Sequence, residues 1–246
     1  MSLEYITPDW PVPENIRCIT TIRKGGFSEN IYKGLNLGLH VNDDVMHVQK
    51  NRQLLKGDLN LPNDPIWLNQ VHGSQVIQLL DSKTKDLSAD AVYTKDVGVI
   101  CAVLTADCLP VVFCDQSGNY IAVAHAGWRG LLNGVLENTL RALPIDNAGI
   151  MCWLGPAIGP NKFEVGEEVY EQFVIKDSMH ENSFQMQNNS KYLANIYQLA
   201  RNVLSPNGVK NVYGGEFCTH TQEDRFFSYR RDGQTGRMAT LIWKKY

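Results

Sequence analysis

The chain has 246 residues, of which 43% are hydrophobic and 20% charged, with a formal net charge of −3. These values are ordinary for a soluble globular protein and exclude disorder by composition. No Lys/Arg run is long enough to form a basic surface, which speaks against DNA, RNA or an anionic membrane as the main partner.

The first ten residues, MSLEYITPDW, lack a basic segment followed by an apolar one, so they do not read as a secretory leader. No apolar stretch reaches the roughly 18 residues needed to span a bilayer. The expected compartment is therefore the cytoplasm. The cysteines, at 18, 101, 108, 114, 152 and 218, are irregularly spaced. That spacing and a reducing compartment argue against a disulfide framework. Cys101, Cys114 and Cys152 sit in apolar runs and read as small core residues. No repeat, linker or low-complexity segment divides residues 1–246, so one domain is expected.

In chain order, residues 17–22 (RCITTI) read as a strand ending at the turn Lys24-Gly25-Gly26. Asp43 or Asp44 is placed to cap a helix running to about Lys56. Residues 66–72, 75–80 and 90–94 are strand-like. Residues 99–105 and 109–115 are continuous apolar runs, as in buried strands. Ser117-Gly118-Asn119 suits a hairpin turn into YIAVAHA. Leu132, Val135, Leu136, Leu140 and Leu143 fall on one helical face within 130–143, which is expected to follow the GWRG loop. The polar run 176–191 reads as a surface loop. Leu193, Ile196, Leu199, Ala200 and Val203 mark a second helix. Many strands with helices grouped late give an α+β fold, its sheet layers covered by helices.

Three segments carry chemistry: NQVHG (69–73), TADCLP (105–110) and AHAGWRG (124–130). Each sets one metal-binding side chain, His72, Cys108 or His125, at the end of an apolar strand. Alternation puts Ile121, Val123 and His125 on one face, and Gln70 and His72 on another. Two imidazoles and a thiolate leave a fourth tetrahedral position open, as a catalytic zinc requires. The spacing by itself equally suits a buried, hydrogen-bonded core histidine. The GWRG loop, with Arg129, is either an anion site at a helix N-terminus or a strand-to-helix connection that needs glycine. Arg23 beside Gly25-Gly26, with Asn36 nearby, either grips phosphate or is a surface arginine. LGPAIGP (154–160) reads as scaffold or pocket wall. Arg230 and Arg231 are either a substrate contact or a solvated pair.

Taken together, NQVHG, DAVYT, TADCLPVVF, AVAHAGWRG, WLGPAIGP-x-x-FEVG and FFSYRRDG-x-TGRMA resemble the YfiH-type multicopper polyphenol oxidase (laccase) family. Its members include bacterial purine nucleoside phosphorylases and the mammalian laccase-domain-containing protein of macrophages. The resemblance runs from about Arg17 to Trp243, with several long motifs in order. It implies a single α/β/β/α layered domain with two mixed sheets flanked by helices. It implies zinc on His72, Cys108 and His125. It also implies phosphorolysis of adenosine, inosine, guanosine and methylthioadenosine, plus deamination of adenosine, with purine nucleoside and phosphate as partners. For that chemistry the candidate catalytic residues are His72, Cys108 and His125, with Asp107 as proton shuttle. The substrate and phosphate candidates are Arg23, Asn36, Gln70, Arg129 and Arg230.

The laccase name fits this chain poorly. A multicopper cluster needs several His-x-His pairs, and none of the six histidines here forms one. Copper can occupy a single N,S,N site in vitro by the usual affinity order, without building that cluster. The alternatives are a cysteine hydrolase with Cys108 as nucleophile and His125 as base, a muramyl-peptide editing hydrolase on the same site, a copper-dependent polyphenol oxidase, and a non-enzymatic nucleotide-binding module.

Overall fold

The apolar segments form strands because each side chain along them meets a different core from its neighbour. The structure, a computed structural model, describes residues 3–79 and 86–245. The chain opens with β1 (Tyr5–Ile6), β2 (Ile16–Thr21) and helix α1 (Val45–Asp58). Asp44, one of the two expected caps, accepts the Met46 N–H at the start of α1. Next come β3 (Ile66–Trp67), β4 (Val76–Gln78), β5 (Ala91–Thr94), β6 (Ile100–Thr105), β7 (Leu109–Asp115) and β8 (Ile121–Ala126). They are followed by α2 (Trp128–Leu132), α3 (Val135–Ala142), β9 (Ile150–Leu154), β10 (Glu164–Gly166) and α4 (Glu167–Lys176). The chain ends with β11 (Phe184–Met186), β12 (Lys191–Ala194), α5 (Ile196–Leu204), β13 (Asn211–Gly214), α6 (Tyr229–Asp232) and β14 (Met238–Lys244).

One sheet has the order β1-β2-β14-β6-β3 and the other β13-β9-β7-β8-β5-β4. Both are mixed: β3–β6, β4–β5 and β9–β13 are parallel, while β7–β8 and β6–β14 are antiparallel. A smaller sheet, β10-β12-β11, lies apart from these two ladders.

Period-two alternation sorts the side chains of β6. Ile100, Ala102 and Leu104 pack with Leu55 of α1, whereas Cys101 and Val103 face the second sheet. The same sorting divides β8. Ile121 and Val123 lie between the sheets, and Ala122, Ala124 and Ala126 lie under α3 and α5. The layers therefore run α1, first sheet, second sheet, α3 with α5, in the expected α/β/β/α order. Each central strand is buried on both faces, which is why it reads as a continuous apolar run. Fully buried rings such as Phe113 contribute about 2–3 kcal/mol each. Cys101, Cys114 and Cys152 are buried as expected. Among the described residues, no helix is long and apolar enough to cross a membrane.

Several expected boundaries move. The strand expected over 66–72 stops at Trp67: beyond it the Asn69 N–H turns to Leu87 O, the Gln70 side chain takes the Leu104 backbone, and the N–H groups at 71–73 bond a side chain. The strand expected over 75–80 is Val76–Gln78, and Leu80 lies outside the described residues. The helix expected over 130–143 starts earlier, at Trp128, and is broken by Gly134 at φ 88°. Leu193 belongs to β12, and α5 begins only after Asn195, whose side chain accepts the Gln198 N–H. The polar run 176–191 contains a short 3-10 helix, Ser178–Ser183, whose His180 is buried, and β11.

Candidate metal centre

Strand register brings the three donors together. β7 and β8 are antiparallel with Pro110 opposite His125, so Cys108, just ahead of β7, arrives at the end of β8. β5 and β8 are antiparallel with Ala91 opposite Ala124, which sets Asp90 beside His125. The 71–73 loop then wraps around the Asp90 carboxylate, which accepts the N–H groups of Val71, His72 and Gly73. As a result the donor atoms of His72, Cys108 and His125 lie within 4.8 Å of one another. The two imidazoles meet edge to face, with centroids 4.7 Å apart and planes at 83°. His72 is exposed, Cys108 half-buried and His125 only 3% exposed. Gly127 permits this closeness, because a Cβ there would lie 3.0 Å from Cys108 Sγ.

The electrostatics favour a metal-binding thiolate. Burial resists ionisation of Cys108, but His125 and His72 beside it overcome that and bring its pKa down to about 6. Burial likewise resists charge on His125, yet Cys108 and Asp90 push its pKa up. Asp90 is itself fully buried, and its hydrogen bonds to His125, Gly73 and Val71 outweigh burial and hold its carboxyl below the usual range.

A cavity of about 480 Å³ opens over the three donors. Of the expected substrate residues, Gln70, Arg129 and Arg230 line it, together with Asp107. Arg23 and Asn36 are not among its lining residues. The Arg23 guanidinium lies over the Phe227 ring and donates to Glu223 O. Asn36 is fully buried and engaged at both ends: Nδ2 donates to Asp43, and Oδ1 accepts from the N–H groups of Gly38 and Arg237. These contacts brace the loop. Gln70 also has a backbone task. Its amide donates to Leu104 O and accepts Leu104 N–H at 2.8 and 2.7 Å, replacing β3 where that strand has ended.

Asp107 occupies a left-handed backbone conformation at φ 95°. Its carboxylate accepts the Thr219 hydroxyl and the Arg230 N–H, each at 2.6 Å. Both oxygens therefore already hold neighbouring segments, which marks Asp107 as a latch on the cavity wall. The Arg230 guanidinium donates to Glu164 O and lies over Phe163. That of Arg129 stacks on Trp128. The glycines of GWRG have packing reasons: Gly127 clears Cys108, and a Cβ on Gly130 would lie 3.1 Å from Gly73 O.

Sequence reasoning missed Asp90, His40 and Arg237. Asp90 stands in the quoted DAVYT motif but reads only as a strand start. His40 and Arg237 line the cavity from segments far apart in the chain. The TGRMA motif carried Arg237 without indicating where it faces.

The family described as "Multi-copper polyphenol oxidoreductase laccase" matches residues 17–245. The chain belongs to this family. Within it, the chain is similar to the Escherichia coli (strain K12) protein named purine nucleoside phosphorylase YfiH, at 49% identity over 98% of each chain. A Haemophilus influenzae protein named purine nucleoside phosphorylase is 48% identical over 98% of this chain and 99% of its own. The fold matches a Neisseria meningitidis crystal structure with a TM-score of 0.94 at 45% identity, covering 98% of this chain and 99% of that one. It also matches YlmD from Geobacillus stearothermophilus with a TM-score of 0.92 at 29% identity, covering 98% and 96%. Despite the "multi-copper" of the laccase-family description, the described residues of this member bring together one such group of donors, His72, Cys108 and His125.

Proposed function

We propose that this protein is a zinc-dependent purine nucleoside phosphorylase that also deaminates adenosine. The observation that carries the reading is the His72–Cys108–His125 group at the base of a cavity lined by arginines and aromatic rings. The residues fit zinc: two imidazole nitrogens and a thiol biased toward its ionised form converge within 4.8 Å, and three protein donors suit an open catalytic site. When bound, zinc supplies Lewis acidity, acidifying water and offsetting negative charge. The relatives' names supply the nucleoside and phosphate, and the family resemblance supplies adenosine, inosine, guanosine and methylthioadenosine as substrates.

The chain's own groups divide the remaining work. Trp128, Phe163 and Tyr229 offer flat apolar surfaces for a purine. Arg129, Arg230 and Arg237 line the same cavity and suit a phosphate dianion. In phosphorolysis a phosphate oxygen bonds to ribose C1′ as the C1′–N bond breaks and its electron pair leaves with the base. The transition state resembles an oxocarbenium ion. Asp107 holds Arg230 in place through its backbone N–H.

The test is product analysis on protein of known metal content. Inosine with phosphate is expected to yield hypoxanthine and ribose 1-phosphate, and adenosine to yield inosine and ammonia as well as adenine. Both activities should rise with zinc content. Lack of turnover with zinc fully bound would redirect the site to another substrate, with a muramyl peptide next. Arg129→Ala and Arg230→Ala should each raise the phosphate KM about tenfold, as expected for losing a charge-assisted hydrogen bond, and spare deamination. Arg23→Ala should leave the phosphate KM unchanged. Initial rates over a phosphate series check all three.

One observation favours a second reading. Cys108, His125 and Asp90 form a nucleophile–base–orienter chain, with His125 Nδ1 2.8 Å from Asp90 Oδ1. A cysteine hydrolase built on it would keep its activity after metal chelation, whereas the zinc enzyme would lose it.

A further inference from the structure

We infer that Asp90 is the positioning residue that assembles the metal centre, holding His125 by its side chain and His72 by its backbone. The inference deepens the zinc reading and rests on it. Asp90 is fully buried and joins two parts of the chain that have no ladder between them. Its Oδ1 lies 2.8 Å from His125 Nδ1 and 3.0 Å from the His72 N–H. Its Oδ2 accepts the N–H groups of Gly73 at 2.7 Å and Val71 at 3.2 Å. Its main-chain carbonyl accepts the His125 N–H at 2.6 Å. Four donors thus converge on one carboxylate.

Two effects follow for the metal donors. A carboxylate only accepts, so Asp90 accepts the hydrogen bond of the His125 Nδ1–H, and Nε2 would be the nitrogen left to bind a metal. Meanwhile three successive N–H groups fix the loop that carries His72, whose backbone sits in the left-handed region at φ 58°. An L-residue holds that conformation only where its surroundings fix it. An asparagine in place of Asp90 has nearly the same volume but one acceptor oxygen. Its NH₂ group would face N–H donors, either at the loop or at the imidazole.

The test is zinc affinity by chelator competition on wild type and Asp90→Asn, at a temperature well below both thermal midpoints. Asp90→Asn is expected to bind zinc 10- to 100-fold more weakly and to give an altered cobalt(II) visible spectrum. Unchanged affinity and spectrum in folded Asp90→Asn would overturn the inference, because Asp90 would then serve the fold alone. Should that variant fail to fold, cadmium-113 coupling in the wild-type protein decides. Coupling to His125 Nε2 supports the inference, and coupling to Nδ1 overturns it. These readouts need no nucleoside turnover, so a different substrate would leave them standing. A wild-type protein that bound no zinc would overturn both the zinc reading and this inference.

Discussion

Cys108→Ala is expected to lose zinc and to reduce nucleoside turnover about a thousandfold or more. The thiol is the one anionic donor in the group, and its two imidazole neighbours favour the form that binds metal. Removing it leaves two imidazoles, one of them on the exposed loop of His72. Cys108→Ser should rescue little, since a hydroxyl does not ionise near neutral pH. The thermal midpoint of the metal-free protein should change little, because Cys108 is only half-buried at the cavity wall. Metal content, turnover and melting measured on one preparation separate the outcomes. Full zinc retention with normal turnover would remove Cys108 from the centre. Loss of activity in the variant, alongside full activity of chelator-treated wild type, would favour the cysteine hydrolase.

The largest stability effect is expected at Gly34. Its φ is 123°, and a Cβ built on it would lie 1.9 Å from Arg23 O. That carbonyl cannot move away freely, because it accepts the Leu35 N–H at 2.8 Å. Gly34 also exchanges two backbone hydrogen bonds with Ser28. Gly34→Ala combines an unfavourable backbone conformation with a clash against backbone, and should destabilise by about 3–5 kcal/mol. Gly57, in the last turn of α1, is the contrasting position. A Cβ there meets nothing within 4 Å, and Gly57→Ala should stabilise by about 0.5–1 kcal/mol. Denaturant titration of both variants against wild type reads the two signs together.

The convergence of His72, Cys108 and His125 was legible through the family resemblance, because strand ends and glycine turns alone equally suit a buried core histidine. The layers were legible in the local pattern: strands buried on both faces give unbroken apolar runs. Boundaries failed where one residue overrode a period. Gly134 broke a helix that the leucine spacing carried through, and the N–H groups at 71–73 turned to Asp90 instead of a neighbouring strand. Two of the phosphate candidates, Arg23 and Asn36, lie outside the cavity lining, because closeness to a glycine turn says nothing about which way a side chain faces. Arg23 sits beside such a turn yet lies over Phe227, and Asn36 spends its amide on loop contacts. Arg237 and His40 reach the cavity from opposite ends of the sequence. No local pattern marks that convergence, since it is a property of the sheets' connectivity.

The uneven burial of the three donors bears on the rates of metal capture and loss. His125 sits on a strand enclosed on both faces, so its removal from the centre would require the β8 ladder to separate, and its amide should exchange only when the whole molecule opens. His72 is carried by an exposed loop held through three N–H bonds to one carboxylate, and small segments of this kind open far more often than the core. Release would then begin with His72 swinging clear, while Cys108 and His125 still retain the ion. A chelator would draw the metal out of an intact fold, at a rate set by that loop and insensitive to low concentrations of denaturant.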